Sequence, residues 1–337
     1  MYRRLVFIAL ALTLFVVVLG AYVRLSDAGL GCPDWPGCYG QLTPAHAADE
    51  IAAAVAESPD GPVSMHKAWK EMVHRYVAAS LGFIILVIAA LAWRRRADPS
   101  VRATLAASLV AVVIVQGLLG KWTVTLLLKP AIVTGHLIGG LTTLALLALL
   151  ALRAAGVSRH QVSALLVRWA RVALAVVIAQ IILGGWTSTN YAALACTDFP
   201  TCHGSWWPEM DMANAFHVVR ELGMTAQGDM LSLQALTAIH WMHRIGAVVV
   251  TLVLLVLALR LALAGRRAMA GGVLAALAVQ VTLGIANVVM SLPLPLAVAH
   301  NAGAAILLLT LVIVNDRLVP ARAWNLAGRR SHENAYA

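Results

Sequence analysis

Four histidines and one glutamate are the residues of this sequence with the strongest chemical signature. His74, His136, His243 and His300 each fall at or near the same end of a long apolar run, and Glu71 precedes His74 in Glu71-Met-Val-His-Arg75. On a helix, positions i and i+3 share a face, so Glu71 and His74 point the same way. Two imidazoles from two helices of a bundle hold a haem from both sides. A lone membrane histidine is as readily a hydrogen-bonded packing residue. Four at matched places point to ligation, because ionisable groups are costly in a membrane and mark function there. Gly135, Gly139 and Gly140 beside His136, and Gly303 after His300, are small enough to admit a flat macrocycle. A di-iron carboxylate site needs two Glu-x-x-His motifs and two further glutamates. The chain has a single such motif, and no other apolar run carries an acid, which also excludes a carboxylate-driven proton transporter.

The elements that position these residues follow from hydropathy. The 337 residues are 61% hydrophobic and only 12% charged, against about a quarter charged in soluble proteins. Charge-free runs of the length that crosses a bilayer give eight expected spans, near 5–24, 74–93, 101–122, 130–152, 168–188, 240–260, 269–290 and 297–316. The expected fold is therefore an all-α, polytopic membrane protein. The net charge of +10 does not signal nucleic acid, because its distribution is that of a membrane protein. With the N-terminus inside, 17 of the 25 Lys and Arg fall in inner segments and 12 of the 15 acids in outer ones. This positive-inside pattern places both termini in the cytoplasm and the four histidines towards the outer face. Trp35, Trp69, Trp122, Trp186, Trp206, Trp207 and Trp241 gather at that outer end, as an interfacial belt does.

The chain is internally duplicated. At a shift of 164 residues Gly20 falls on Gly184, Cys32 on Cys196, Asp34 on Asp198, Cys38 on Cys202, Gln116 on Gln280, Gly120 on Gly284 and His136 on His300. His74-Arg75 matches His243-Arg244 at a shift of 169, and a compensating deletion follows. Two four-helix halves, 1–155 and 156–320, are thus expected as pseudosymmetric bundles in a parallel repeat. The first span has a counterpart in the fifth, so it belongs to the fold although it opens like a signal peptide. Segment 41–63 is expected to be mobile or loosely helical, and the tail 321–337 to be a disordered cytoplasmic extension.

Four cysteines form two outer pairs, Cys32-Pro-Asp-Trp-Pro-Gly-Cys38 and Cys196-Thr-Asp-Phe-Pro-Thr-Cys202. Outside a bacterial plasma membrane the surroundings are oxidising, and a disulfide in each loop is the first reading. A redox-active pair and a zinc site including His203 stay open beside it. Arg24, Arg75 and Arg244 stand at the outer boundary, where guanidinium groups either meet haem propionates or snorkel to the interface.

Tyr22-Val-Arg-Leu-Ser26, Ala28-Gly-Leu-Gly-Cys-Pro-Asp-Trp-Pro-Gly-Cys38, Glu71-Met-Val-His-Arg-Tyr76, Gln116-Gly-Leu-Leu-Gly-Lys-Trp122, Gly185-Trp186-Thr187 and the four histidines together resemble the haem A synthase family. The resemblance runs over essentially the whole chain. It implies an enzyme that oxidises the C8 methyl of haem O to a formyl group, by two hydroxylations and loss of water. It implies His74 and His136 around the substrate haem, Glu71 as the carboxylate beside it, and His243 and His300 on a resident haem b. The implied partners are haem O, an electron donor that the sequence does not name, haem O synthase and cytochrome oxidase assembly factors, in membrane lipid. Independently of the resemblance, position 240 is histidine where the first half has Glu71. A reaction that moves protons needs an acid or base and an electron-passing haem does not, so the first half is expected to be catalytic. The competing class is a di-haem b-type cytochrome that relays electrons without chemistry of its own.

Overall fold

Without water, a backbone satisfies all its N–H and C=O groups only as a helix or a closed barrel. The long, uniformly apolar runs of this chain take the first solution. The computed structural model describes residues 1–98 and 101–321. In chain order it contains α1 (Tyr2–Leu25), α2 (Ala48–Glu57), α3 (Met65–Arg94), α4 (Ala103–Thr125), α5 (Pro130–Ala154), β1 (His160–Val162), α6 (Ala164–Thr189), α7 (Met212–Ala215), α8 (Leu233–Leu263), α9 (Arg267–Val289), α10 (Leu294–Arg317) and β2 (Leu318–Pro320). Among the described residues, eight helices are long and apolar enough to cross a membrane: α1, α3, α4, α5, α6, α8, α9 and α10. The protein is an all-α polytopic membrane protein.

Six spans begin and end within a few residues of their apolar runs. The other two start earlier, α3 at Met65 and α8 at Leu233. Hydropathy marks only the part of a helix that sits in lipid, whereas capping sets where the helix begins. Ser64 accepts the N–H of Lys67, and Ser232 that of Ala235. His74 and His243 therefore lie well inside their helices, not at the helix mouths.

Helices α1, α3, α4 and α5 enclose one core, with Val6, Ile85, Ile88, Leu109 and Leu147 fully buried. Helices α6, α8, α9 and α10 enclose another around Ala173, Leu254, Leu257, Val273 and Leu311. Where the bundles meet, Leu141, Leu144 and Ala148 of α5 pack on Ala305, Leu308 and Val312 of α10. Each of these residues is 164 positions from its counterpart, so the interface is made by one surface meeting its own duplicate. Leu141 corresponds to Ala305 and Ala148 to Val312, so the two copies of this surface differ in where they are large and where small.

At the end away from the long loops, β1 pairs in parallel with β2. Arg153 is ion-paired with the buried Asp316, Arg159 reaches the same carboxylate at 3.4 Å, and Arg317 donates to His160 Nε2 at 2.9 Å. These contacts tie α5 to the end of α10. Segment 41–63 is more ordered than expected. Its centre is α2, docked through the 2% exposed Ile51 against Cys32, Cys38 and Met72. The expected disordered tail, from 322 onward, lies outside the described residues.

Candidate haem site

Each long loop opens with the same small structure. Cys32 is bonded to Cys38, and Cys196 to Cys202. Cys38 bridges Gln41, and Cys202 bridges Ser205. Asp34 accepts the N–H groups of Tyr39 and Gly40, both at 2.7 Å. Asp198 accepts those of His203 at 2.7 Å and Gly204 at 3.0 Å, with the Thr201 hydroxyl at 2.6 Å. The Thr201 hydroxyl and these N–H groups hold the Asp198 carboxyl well below the usual carboxylate range. A depressed carboxyl contributes stability above its unfolded value and loses it progressively as pH falls from there through the folded one. With all four sulfurs in disulfides there is no thiolate for zinc, and His203 turns instead towards Thr237 Oγ1 at 3.3 Å.

One arginine fastens each loop to the helix below. Arg75 Nη1 donates to the carbonyls of Asp34 at 2.9 Å and Gly37 at 2.5 Å, and its Nη2 pairs with Glu71 at 2.5 Å. Arg244 donates to the carbonyls of Asp198, Thr201 and Cys196 at 2.8–3.0 Å. Both were candidates for haem propionates. The structure engages them with loop carbonyls, and each keeps at least one further N–H of its guanidinium outside these bonds. Arg24 crosses between the halves, donating to Ser188 O at 3.0 Å beneath the ring of Tyr191, and its buried Nε has no partner.

Glu71 is 4% exposed, with Oε2 accepting the N–H of Cys32 at 2.9 Å and Oε1 paired to Arg75. In the second half His240 takes up the same two contacts, Nδ1 with the N–H of Cys196 and Nε2 with Arg244 Nε, both at 3.2 Å. The two residues therefore share a structural task, which sequence comparison did not reveal. They differ in capacity. A carboxylate accepts both bonds at once, whereas a neutral imidazole has one acceptor nitrogen.

One turn further along α3 and α8 stand the histidines. His74 and His136 lie within electrostatic reach of each other, as do His243 and His300. Each ring leans on a glycine of the neighbouring helix. A Cβ added at Gly20 would stand 3.0 Å from His74 Cε1, at Gly120 3.4 Å from His136, at Gly184 3.0 Å from His243 and at Gly284 3.1 Å from His300. These four glycines seat the rings. Gly135, Gly139, Gly140 and Gly303, the small residues expected to admit the macrocycle, have Leu119, Gln116 and Gln280 as their nearest protein neighbours. An iron-bound imidazole keeps its second nitrogen protonated and seeks an acceptor for it. The buried Nδ1 atoms of His74, His136 and His300 have no partner. Two pairs of imidazoles, each pair within electrostatic reach and each ring seated on a glycine of a neighbouring helix, fit haem.

Three glutamines that had no assigned role touch these histidines. Gln116 donates to the carbonyl of His136 at 2.9 Å, Gln180 to that of His243 at 2.9 Å, and Gln280 lies 3.3 Å from His300 Nε2. The Gln116–Gln280 match was visible in the repeat, but its meaning required the helix pairing.

Over residues 3–312 the sequence matches the COX15-CtaA family, described as cytochrome oxidase assembly protein. The chain belongs to this family. It is 45% identical over 316 residues to a protein named Heme A synthase from Shewanella oneidensis, covering 91% of this chain and 94% of that one. A Heme A synthase from Caulobacter vibrioides is 27% identical over 325 residues, covering 90% and 91% of the two chains. The COX15-CtaA match spans both four-helix halves, so all four histidines and both disulfide loops lie inside it.

The seating glycines give a direct test. Gly184→Val drives two methyl groups further towards a ring that its Cβ already crowds at 3.0 Å. Overpacking of this kind costs about 1–3 kcal/mol. The variant is expected to bind less haem, read by pyridine haemochrome content. Gly117→Val, with nothing among the described residues within 4 Å of its Cβ, is expected to leave haem content unchanged.

Proposed function

We propose that this chain is a membrane oxidoreductase that converts the C8 methyl of haem O to a formyl group, giving haem A by two hydroxylations and loss of water. The observation that carries the reading is the duplicated histidine–glycine seat, four times over, in a chain similar along nearly its whole length to proteins named Heme A synthase. The half 1–155 takes the substrate between His74 and His136, and the half 156–320 keeps a resident haem b between His243 and His300. When bound, that haem b supplies one-electron transfer. His243 and His300 hold it, and the Gly184 and Gly284 seats orient their rings. Glu71 holds the loop of Cys32 over α3 and is the acid or base available to the substrate side. Arg24, whose buried Nε lacks a partner among the described residues, and Arg75 and Arg244, each with a further N–H beyond its loop bonds, are the arginines that would meet propionates. The positive-inside distribution supports cytoplasmic termini and haem sites facing outward in a bacterial plasma membrane. Taking a methyl to a formyl group removes four electrons, so the reaction needs an oxidant, dioxygen being the one that pairs with an electron donor, and that donor is of unassigned identity. The di-haem relay gains nothing from the comparisons.

The test is extraction of pigment from protein expressed with a haem O supply and reductant. Hydroxylated and formyl haem are the expected products. Recovery of protohaem and haem O alone overturns the enzyme reading.

A further inference from the structure

The four histidine seats are not equal, and the difference lies in a residue pair beside each ring. The seating glycine is preceded at four residues by glutamine in Gln116-Gly-Leu-Leu-Gly120, Gln180-Ile-Ile-Leu-Gly184 and Gln280-Val-Thr-Leu-Gly284. On the facing helix a second glycine follows each histidine by three residues: Gly139 after His136, Gly246 after His243 and Gly303 after His300. The structure shows why these occur together. Each glutamine amide occupies the space where a Cβ at the second glycine would stand, with Gln116 Oε1 2.7 Å from the Cβ position of Gly139. Gln180 and Gln280 fill the same space at Gly246 and Gly303. The amide and the glycine require each other. From there each amide reaches its histidine residue: Gln116 Nε2 donates to the His136 carbonyl at 2.9 Å, Gln180 Nε2 donates to the His243 carbonyl at 2.9 Å and stands 3.1 Å from its ring Nδ1, and Gln280 Nε2 stands 3.3 Å from His300 Nε2. Among the described residues all three Oε1 atoms are buried without a partner.

The fourth seat breaks the rule at both positions. Its segment is Val16-Val-Val-Leu-Gly20, and the residue three after His74 is Val77. The glutamine and the glycine are both gone, and among the described residues His74 has no amide contact like those of the other three; its buried Nδ1 is unpartnered, as are those of His136 and His300, so the difference lies in the amide and not in that atom. A second-shell partner that fixes a ligand histidine strengthens its metal bond, and loss of that partner weakens it.

We propose that Gln116, Gln180 and Gln280 are positioning residues that lock three of the histidines as haem ligands, and that Val16 and Val77 leave His74 as the exchangeable one. This rests on the haem reading of the four histidines. It assigns the substrate half one fixed ligand, His136, and one that yields, whereas the resident half has two fixed ligands. A substrate that must enter, react and leave requires that asymmetry, and a resident haem does not.

The test uses the purified full chain loaded with haem, reduced with dithionite and exposed to carbon monoxide, which displaces a weak axial ligand. Wild type is expected to form an adduct at one haem. Val16→Gln combined with Val77→Gly installs the missing pair and is expected to lower carbon monoxide affinity about tenfold, the worth of one net hydrogen bond. Gln180→Val combined with Gly246→Val copies a pair the chain already carries at 16 and 77, and is expected to make the second haem reactive. A wild type without any adduct overturns the proposal. So do unchanged adducts in whichever double variant accumulates with full haem content. His74→Ala/His136→Ala protein that keeps wild-type haem content overturns the haem assignment itself, and is distinguished by that measurement.

Discussion

Replacing Glu71 by His is expected to leave both disulfide loops folded and haem content intact while lowering haem A formation about a hundredfold or more, the usual worth of a positioned acid or base. The substitution is chosen from the protein's own second half. There His240 already meets the N–H of the first loop cysteine and the arginine one turn on, so histidine at 71 has a demonstrated way to hold such a loop. Histidine and glutamine both remove the charge that faces Arg75 in the buried pair, and breaking one side of a buried pair costs about 3–5 kcal/mol. Histidine is the better probe because the second half already sets His240, not a carboxylate, beside Arg244 at this place, and loss of activity is assigned to chemistry only where the loop stays intact. Protease resistance of the loop and haemochrome content report the structural task, and product analysis reports the chemical one. If Glu71→His retains full haem A formation, Glu71 is a loop anchor only and leaves the mechanism.

His243→Met is expected to change the absorption and redox signature of the resident haem while His74→Met leaves it unaltered. Exchanging an imidazole for a thioether raises the potential of a haem, because axial ligand identity is the strongest control the protein has over it. His243 is seated on Gly184 and flanked by Gln180, so the thioether replaces a firmly placed ring at a site expected to be permanently filled. His74 is expected to act on bound substrate, and its loss should appear as lost haem A formation with the resident spectrum preserved. Redox titration of the two variants, after removal of substrate haem, separates the outcomes. The reverse pattern exchanges the roles of the halves.

The sequence by itself determined the membrane class, the span count, the duplication, the cysteine pairs and the four histidines. These are properties of composition and spacing: lipid admits few charges, a helix needs a set length to cross, and a duplicated gene repeats its residues at a constant shift. Loop caps were less legible. Ser64 and Ser232 extend α3 and α8 past their apolar runs, and the helical segment Ala48–Glu57 depends on Ile51 finding the first disulfide loop. Tertiary structure alone decided which groups meet. Glu71 and His240 looked like a difference between the halves until both were seen holding a loop N–H and an arginine. Arg75 and Arg244 stand at the depth expected for propionates, and the structure adds that each also holds its loop through main-chain carbonyls. The glycines that matter to the histidines lie on neighbouring helices, 54 and 59 residues before His74 and His243 and 16 before His136 and His300. Glu71 and His74 share a face because of helix periodicity, which local sequence encodes. What Glu71 holds, and what His74 lacks, depends on which helices pack together, and that follows from the burial of whole faces.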